Sequence, residues 1–356
     1  MVKVRYHPKE LYEACRLSRL ITTADVRLYA DPDGSSLHAA HPSGKRSLSV
    51  ALQGMSDEHG VITVPLNRLT SFCKFCDGDE VVITSKFDII EVQSGSAVMT
   101  VKYVEPNDIA PQRNIESLSM SLGESFMSAL RKVVPFTTPD DERPVLHTVL
   151  MESDGGGNMS LVAADGYRLV RAMVEGCDTP KMSVLIPRKT CILLPKLLNG
   201  RVQLGLSSDN SVIFSNGRVN LRTSTVQAVF PNYRGLIPSS KPNWTVNCPP
   251  ASLLRVIKQL GTSSYIVRLS PKDGLLNISM SDGNNKSDGN DKFLASIPAD
   301  MSGEGKVALD SKLLASTLEL FSEARIEVTA PSSPVKITGK PEGIVAVVMP
   351  MFVSWD

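Results

Sequence analysis

Cys73 and Cys76 sit in the run SFCKFC, at a spacing that could grip a metal ion or cycle through a disulfide. A structural zinc site needs four ligands, and this CxxC has no second ligand pair and falls inside an apolar helical pattern, so it reads as core thiols. Cys15, Cys177, Cys191 and Cys248 are scattered, mostly among apolar neighbours, as reduced buried thiols are. His7, His38, His41, His59 and His147 form no HExxH, HxH or nucleophile-elbow setting. The run DGGGN at 154–158 lacks the helix and the Lys-Ser/Thr of a phosphate-binding loop and reads as a hairpin turn. SDGNNKSDGND at 281–291 spaces carboxylates loosely like a calcium loop but lacks the bidentate Glu that closes one, so a solvated hairpin is expected. No residues converge on catalysis, and neither an enzyme nor a metal or cofactor is expected.

The elements that would position any site repeat three times. ITVPLNRLTSFCKFC from Ile62, VLIPRKTCILLPKLL from Val184 and VALDSKLLASTLELF from Val307 each bring a β-rich approach to Pro65, Pro187 or Asp310 and then a short apolar helix. Apolar alternation follows each time, at Val81/Ile83, Val202/Leu204 and Ile326/Val328, as half-buried strands require. Upstream, each third opens with a strand and an amphipathic helix: KVRY and a helix from Pro8 to near Ile21; SLSMSL and ESFMSALRKVV, stopped by Pro135; WTVN and ASLLRVIKQL after Pro249-Pro250, closed by Gly261. The period exceeds that of a solenoid, so the repeat predicts three similar α+β domains, 1–113, 114–242 and 243–356, each with paired helices on antiparallel sheet.

Aligning the first helices places Leu11, Phe126 and Leu253 in one column and Ala14, Ala129 and Val256 in the next. Arg16, Arg131 and Lys258 then share a third column. An amphipathic helix commonly carries bases on its wet face, and a functional reading needs all three faces to meet one partner. Lys74 and Lys196 match in the second helices, whereas the last repeat has Glu319 there. Formal net charge over the 356 residues is only +1, so any nucleic-acid contact must draw on bases gathered on one surface. No apolar run is long enough to span a bilayer, and MVKVRYHPKEL has no secretory h-region, which makes the cytosol the default.

RPVLHTVLME (143–152), LVAADGYRLV (161–170), AVFPNYRGLIP (228–238) and AVVMPM (346–351) together resemble the bacterial DNA polymerase III β subunit family, the sliding clamps. The blocks follow the family's order and spacing; the first third of the chain is similar in pattern only. The resemblance implies the DNA-clamp architecture, in which two three-domain chains join head to tail as a homodimeric ring with helices around the hole and sheets outside. It implies that Lys9, Arg16, Arg19, Arg131, Lys132 and Lys258 face duplex DNA and meet phosphates without reading bases.

The resemblance further implies an apolar pocket between the second and third domains that takes short peptides from the polymerase catalytic subunit, the clamp loader and other replication and repair proteins. Carried over by motif, its residues are Leu146, Ala164, Gly166, Tyr167, Arg168, Leu169, Pro231, Leu236, Val347, Val348, Met349, Pro350 and Met351, with Arg168 able to cap a peptide carbonyl or carboxylate. Read without the family, ADGYRL is a hairpin and VVMPM a terminal strand. Ala164, Gly235 and Phe352 stand where the family usually has Thr, a longer side chain and a basic residue. Phe352 or Trp355 is expected to cover part of the pocket rim, the alternative being that Trp355 packs on a neighbouring surface or is disordered. The third-domain helix is expected to stop short at Gly261-Thr262, next to the ring joint. A peptide-binding adaptor that forms no ring, and a β-rich enzyme with a dispersed site, are the competing readings.

Overall fold

The structure is a computed structural model that describes residues 2–31, 34–56, 58–103, 120–139, 143–177, 179–259, 265–282 and 292–355. Six α-helices occur among the described residues: α1 Pro8–Ser18, α2 Leu66–Lys74, α3 Glu124–Val133, α4 Arg188–Leu197, α5 Pro250–Lys258 and α6 Ser311–Leu318. All described strands belong to four antiparallel sheets, so the α+β class is observed.

The sequence repeat is a structural repeat. Strands Gly60–Pro65, Met182–Pro187 and Val307–Asp310 run directly into α2, α4 and α6, and the strand before each odd helix pairs antiparallel with the strand after the next one. The partners are Val4 with Ile83, Ser121 with Gln203, and Val246 with Ile326. Period-two alternation turns Val81, Ile83, Val202, Leu204, Ile326 and Val328 inward, and all six are fully buried. At the entry of α6 the Asp310 carboxylate accepts from the amides of Lys312 (2.9 Å) and Leu313 (3.0 Å), a cap that Pro65, with no acceptor on its side chain, cannot supply to α2.

Two compact units divide the chain, Met1–Met127 with Lys189–Thr225 and Ser128–Arg188 with Val226–Asp356. The first holds a five-stranded sheet that ends on Ala97–Lys102 and an eight-stranded sheet in which Val219–Ser224 lies beside Arg46–Leu52, with Leu221 opposite Leu48. The helix α1 packs on α2, with Leu11, Ala14 and Cys15 buried on the first and Leu66, Leu69 and Cys73 on the second. Cys73 and Cys15 are partners in that core, where their contact and burial push the Cys73 thiol up, and Cys76 donates to the Phe72 carbonyl at 3.2 Å. The CxxC is therefore helix packing and helix end.

The second unit holds a four-stranded sheet between Lys292–Pro298 and Val307–Asp310 and a nine-stranded sheet in which Arg168–Glu175 pairs with Ile344–Val348. Here α5 and α6 pack together. DGGGN is a hairpin turn, with Gly155 and Gly157 at φ of +86° and +87° and the Asp154 carboxylate accepting from the Gly156 amide at 2.8 Å. Residues 283–291 of the acidic segment and the helix end at Gly261-Thr262 lie outside the described residues.

Candidate peptide-docking site

The Asp165-Gly166 turn builds one side of the site. Gly166 takes φ of +95°, which a side chain would resist, and the Asp165 carboxylate accepts from the amides of Tyr167 and Arg168, each at 3.0 Å. This folds the chain back so that Ala164 opposes Leu169, and the next strand pairing puts Leu169 beside Val347. The Tyr167 carbonyl then accepts from the Met349 amide at 2.8 Å, tying the tip of the hairpin to the end of the last strand.

Beneath this junction lies an apolar floor of Leu150, Val162, Ala164, Leu169, Leu185, Tyr233 and Val347, with Val145, Leu146, Val226, Phe230 and Ile237 packed against it. Tyr167, Leu236, Met349 and Met351 remain exposed, as does Pro231, while Pro350 is half-buried. Leu169 is only 3% exposed and Val347 only 2%, so they are floor, not open walls. Val348, opposite Arg168, faces the other side of the sheet from Val347 by strand alternation and belongs to the core there. Of the expected residues, Leu146, Ala164, Leu169 and Val347 meet in this floor, the Tyr167–Met349 bond closes its end, and Val348 is turned away from it.

Arg168 differs from its expected role. Its Nε donates to Asp165 Oδ2 at 2.9 Å, one terminal nitrogen donates to Ser316 Oγ on α6, the other to the Pro135 carbonyl at 3.2 Å, and the guanidinium covers the Phe136 ring. The side chain is 11% exposed, so Arg168 clasps the junction and does not stand ready to cap a peptide.

Tyr233, Phe230 and Ile237 reach the floor from the AVFPNYRGLIP block, although only Pro231 and Leu236 of that block were expected at the pocket. The Tyr233 hydroxyl donates to the Glu152 carboxylate, which also accepts from Arg234 at 2.7 Å; burial, then the Glu152 bond, pushes the phenol up to about 12. Phe136 and Ser316 carry no motif, and nothing in their spacing marks them as partners of Arg168.

The basic helix column also takes the register read from the sequence. Leu11, Phe126 and Leu253 are buried, as are Ala14, Ala129 and Val256, while Lys9, Arg16, Arg19, Arg131 and Lys258 are exposed and Lys132 is half-buried. Lys258 is engaged by Glu319, the acid that breaks the second-helix row, at 3.0 Å. Among the described residues no group of His, Cys, Asp and Glu could hold a metal ion, and no helix is long and apolar enough to cross a membrane.

Residues 123–232 match the sequence profile of the DNA polymerase III beta subunit, central domain, the region that contributes the Asp165 hairpin and Phe230 to this junction. By this central third the chain is similar to the DNA polymerase III β subunits. It is 28% identical over 192 residues to the beta sliding clamp of Escherichia coli K12 (51% of each chain). It is 24% identical over 311 residues to that of Streptomyces coelicolor (83% of this chain, 81% of the other). With the Escherichia coli relative, the chain spans about half of that protein's length. The DNA polymerase sliding clamp of Bacillus subtilis superposes with a TM-score of 0.87 at 19% identity, and the β subunit of Pseudomonas aeruginosa with 0.87 at 21%, each alignment covering 99% of this chain and all of the other. The family's fold therefore extends well beyond the recognisable central sequence.

Proposed function

We propose that this protein is a DNA sliding clamp, a non-catalytic processivity factor that encircles duplex DNA and tethers the polymerase through the Leu169–Val347 junction. The observation that carries the reading is the threefold recurrence of one strand–helix pairing with Arg16, Arg131 and Lys258 at matching exposed positions. Three equivalent domains, 1–113, 114–242 and 243–356, doubled by a two-fold axis make a closed ring of six, with no free end to propagate a fibre. Phosphate contacts from the basic faces carry no sequence information, which suits a ring that must slide, and topology supplies the retention. The ring would be loaded by a separate clamp loader and would serve further replication and repair partners in the cytoplasm.

Sheet edges support a head-to-tail dimer. The five-stranded sheet of the first unit ends on Ala97–Lys102, where Val98 is exposed, and the four-stranded sheet of the second ends on Lys292–Pro298, where Leu294 is exposed. Outermost strands with apolar residues facing water invite pairing with another chain, and two different edges meet the geometry of a heterologous joint. Light scattering at micromolar concentration tests this: a mass twice the 38.6 kDa of the chain is expected. A monomer throughout that range would overturn the ring and leave a peptide-binding adaptor.

A further inference from the structure

The first helix carries an acid in the middle of its basic stripe. Lys9, Glu13 and Arg16 follow one another at i, i+4 and i+7 on α1, so they share one face of it, and all three are exposed. In the register that aligns Leu11, Phe126 and Leu253, the place of Glu13 is taken by Ser128 in the second repeat and by Arg255 in the third, so the first repeat alone sets a carboxylate there. Left uncompensated between two cations, a carboxylate lowers the positive potential that a phosphate would meet.

Arg218 covers that acid. It follows the Asn216-Gly217 turn, where Gly217 takes φ of +90° and the Asn216 side chain accepts from the amides of Arg218 at 3.2 Å and Val219 at 2.8 Å. The Arg218 carbonyl accepts from the Ala51 amide at 2.8 Å, which holds the turn against strand Arg46–Leu52. From there both terminal nitrogens of Arg218 donate to one Glu13 oxygen, at 3.3 and 3.4 Å. Lys9 and Arg218 line the same cleft of about 600 Å³, in the first compact unit, with His7, Glu10, Glu13 and Gln53. The second acid of the cleft, Glu10, accepts from the Gln53 amide at 3.0 Å, while Lys9 has no ion-pair partner among the described residues.

Resting on the reading of the basic helix faces as the DNA-binding surface, we propose that Arg218 is a further residue of that surface. It masks Glu13, so that Lys9 and Arg16 present one unbroken positive track to the phosphates of duplex DNA. The two side chains are 45% and 59% exposed, so their pairing adds little to stability and acts through the field it shapes. The sense is opposite to that of Lys258 and Glu319, where an acid occupies a base of the aligned column.

The test is fluorescence anisotropy of a short labelled duplex with the full chain at low salt, on Arg218→Gln and on Arg218→Gln combined with Glu13→Gln. Arg218→Gln should weaken binding by roughly fivefold, and removing Glu13 in that background should restore most of the loss. Thermal midpoints of both variants should match the parent, as expected for an exposed pair. Unchanged binding in Arg218→Gln, or no recovery on removing Glu13, overturns the masking role. A midpoint that falls together with the affinity assigns Arg218 to fold support and overturns it equally. The Arg16→Glu, Arg131→Glu variant separates the two levels. If it binds as the parent does, the DNA-binding surface is wrong and this inference goes with it; if it binds weakly, a failure of the Arg218 arm counts against the masking role alone.

Discussion

The guanidinium of Arg168 lies over the Phe136 ring, 4.3 Å from its centroid, and the same side chain reaches Ser316 on α6. One planar cation thus ties the Asp165 hairpin to the turn after α3 and to a helix of the third repeat. Lysine would keep the charge but lose the fork and the stacking surface. Arg168→Lys is expected to destabilise the chain by about 2 kcal/mol, combining a charged hydrogen bond with part of the cation–π contact. Urea denaturation reads the difference, and a midpoint equal to that of the parent would show that the clasp contributes nothing.

Met349 and Leu169 flank the same site but answer to different tests. Leu169 is core, and a polar replacement there would disturb folding as a cavity does, at a cost of about 2–5 kcal/mol. Met349 is 39% exposed, so Met349→Ser should leave thermal stability within about 0.5 kcal/mol of the parent. Peptide affinity should fall by roughly tenfold, the loss of about 1.4 kcal/mol of apolar contact. Calorimetry showing full affinity would move the docking surface away from the strand end.

On the basic helix faces, Arg16→Glu with Arg131→Glu is expected to weaken duplex DNA binding and flatten its salt dependence. The slope of log K against log salt should drop by about 0.9 for each phosphate contact removed. Lys258→Glu should have less effect per residue, because Glu319 already engages that ammonium. Unaltered binding at low salt in the double variant would place the DNA elsewhere.

Acid should weaken the first unit through His38. Burial in its sheet, and then the charge of Arg27, hold this imidazole down at about 4, while Ser36 and Ser49 hydroxyls contact Nε2 at 2.8 and 3.1 Å. The unfolded chain takes up the proton near pH 6.5, before the folded one can, so stability is full above that value and declines as pH falls toward 4. The total loss is on the order of 3 kcal/mol. Denaturation midpoints at pH 7, 5.5 and 4 should show this slope in the parent and a shallower one in His38→Gln; equal slopes would exclude His38 as the source.

Periodicity alone determined the repeated elements, because a helix or strand must turn one face inward whatever it later packs against. Leu11, Phe126 and Leu253 could be aligned and found buried for that reason, and Arg16, Arg131 and Lys258 found exposed. Turn chemistry was equally local: Asp154 and Asp165 fold their own hairpins. Only the tertiary structure decided what those elements share. The contact between Arg168 and Ser316, the pairing of Leu169 with Val347, the pairing of Lys258 with Glu319 and the placing of Trp355 beneath Lys306 all join residues far apart in the chain or presented by separate elements. Such contacts leave no period in the sequence, since each depends on how two independently formed surfaces come together.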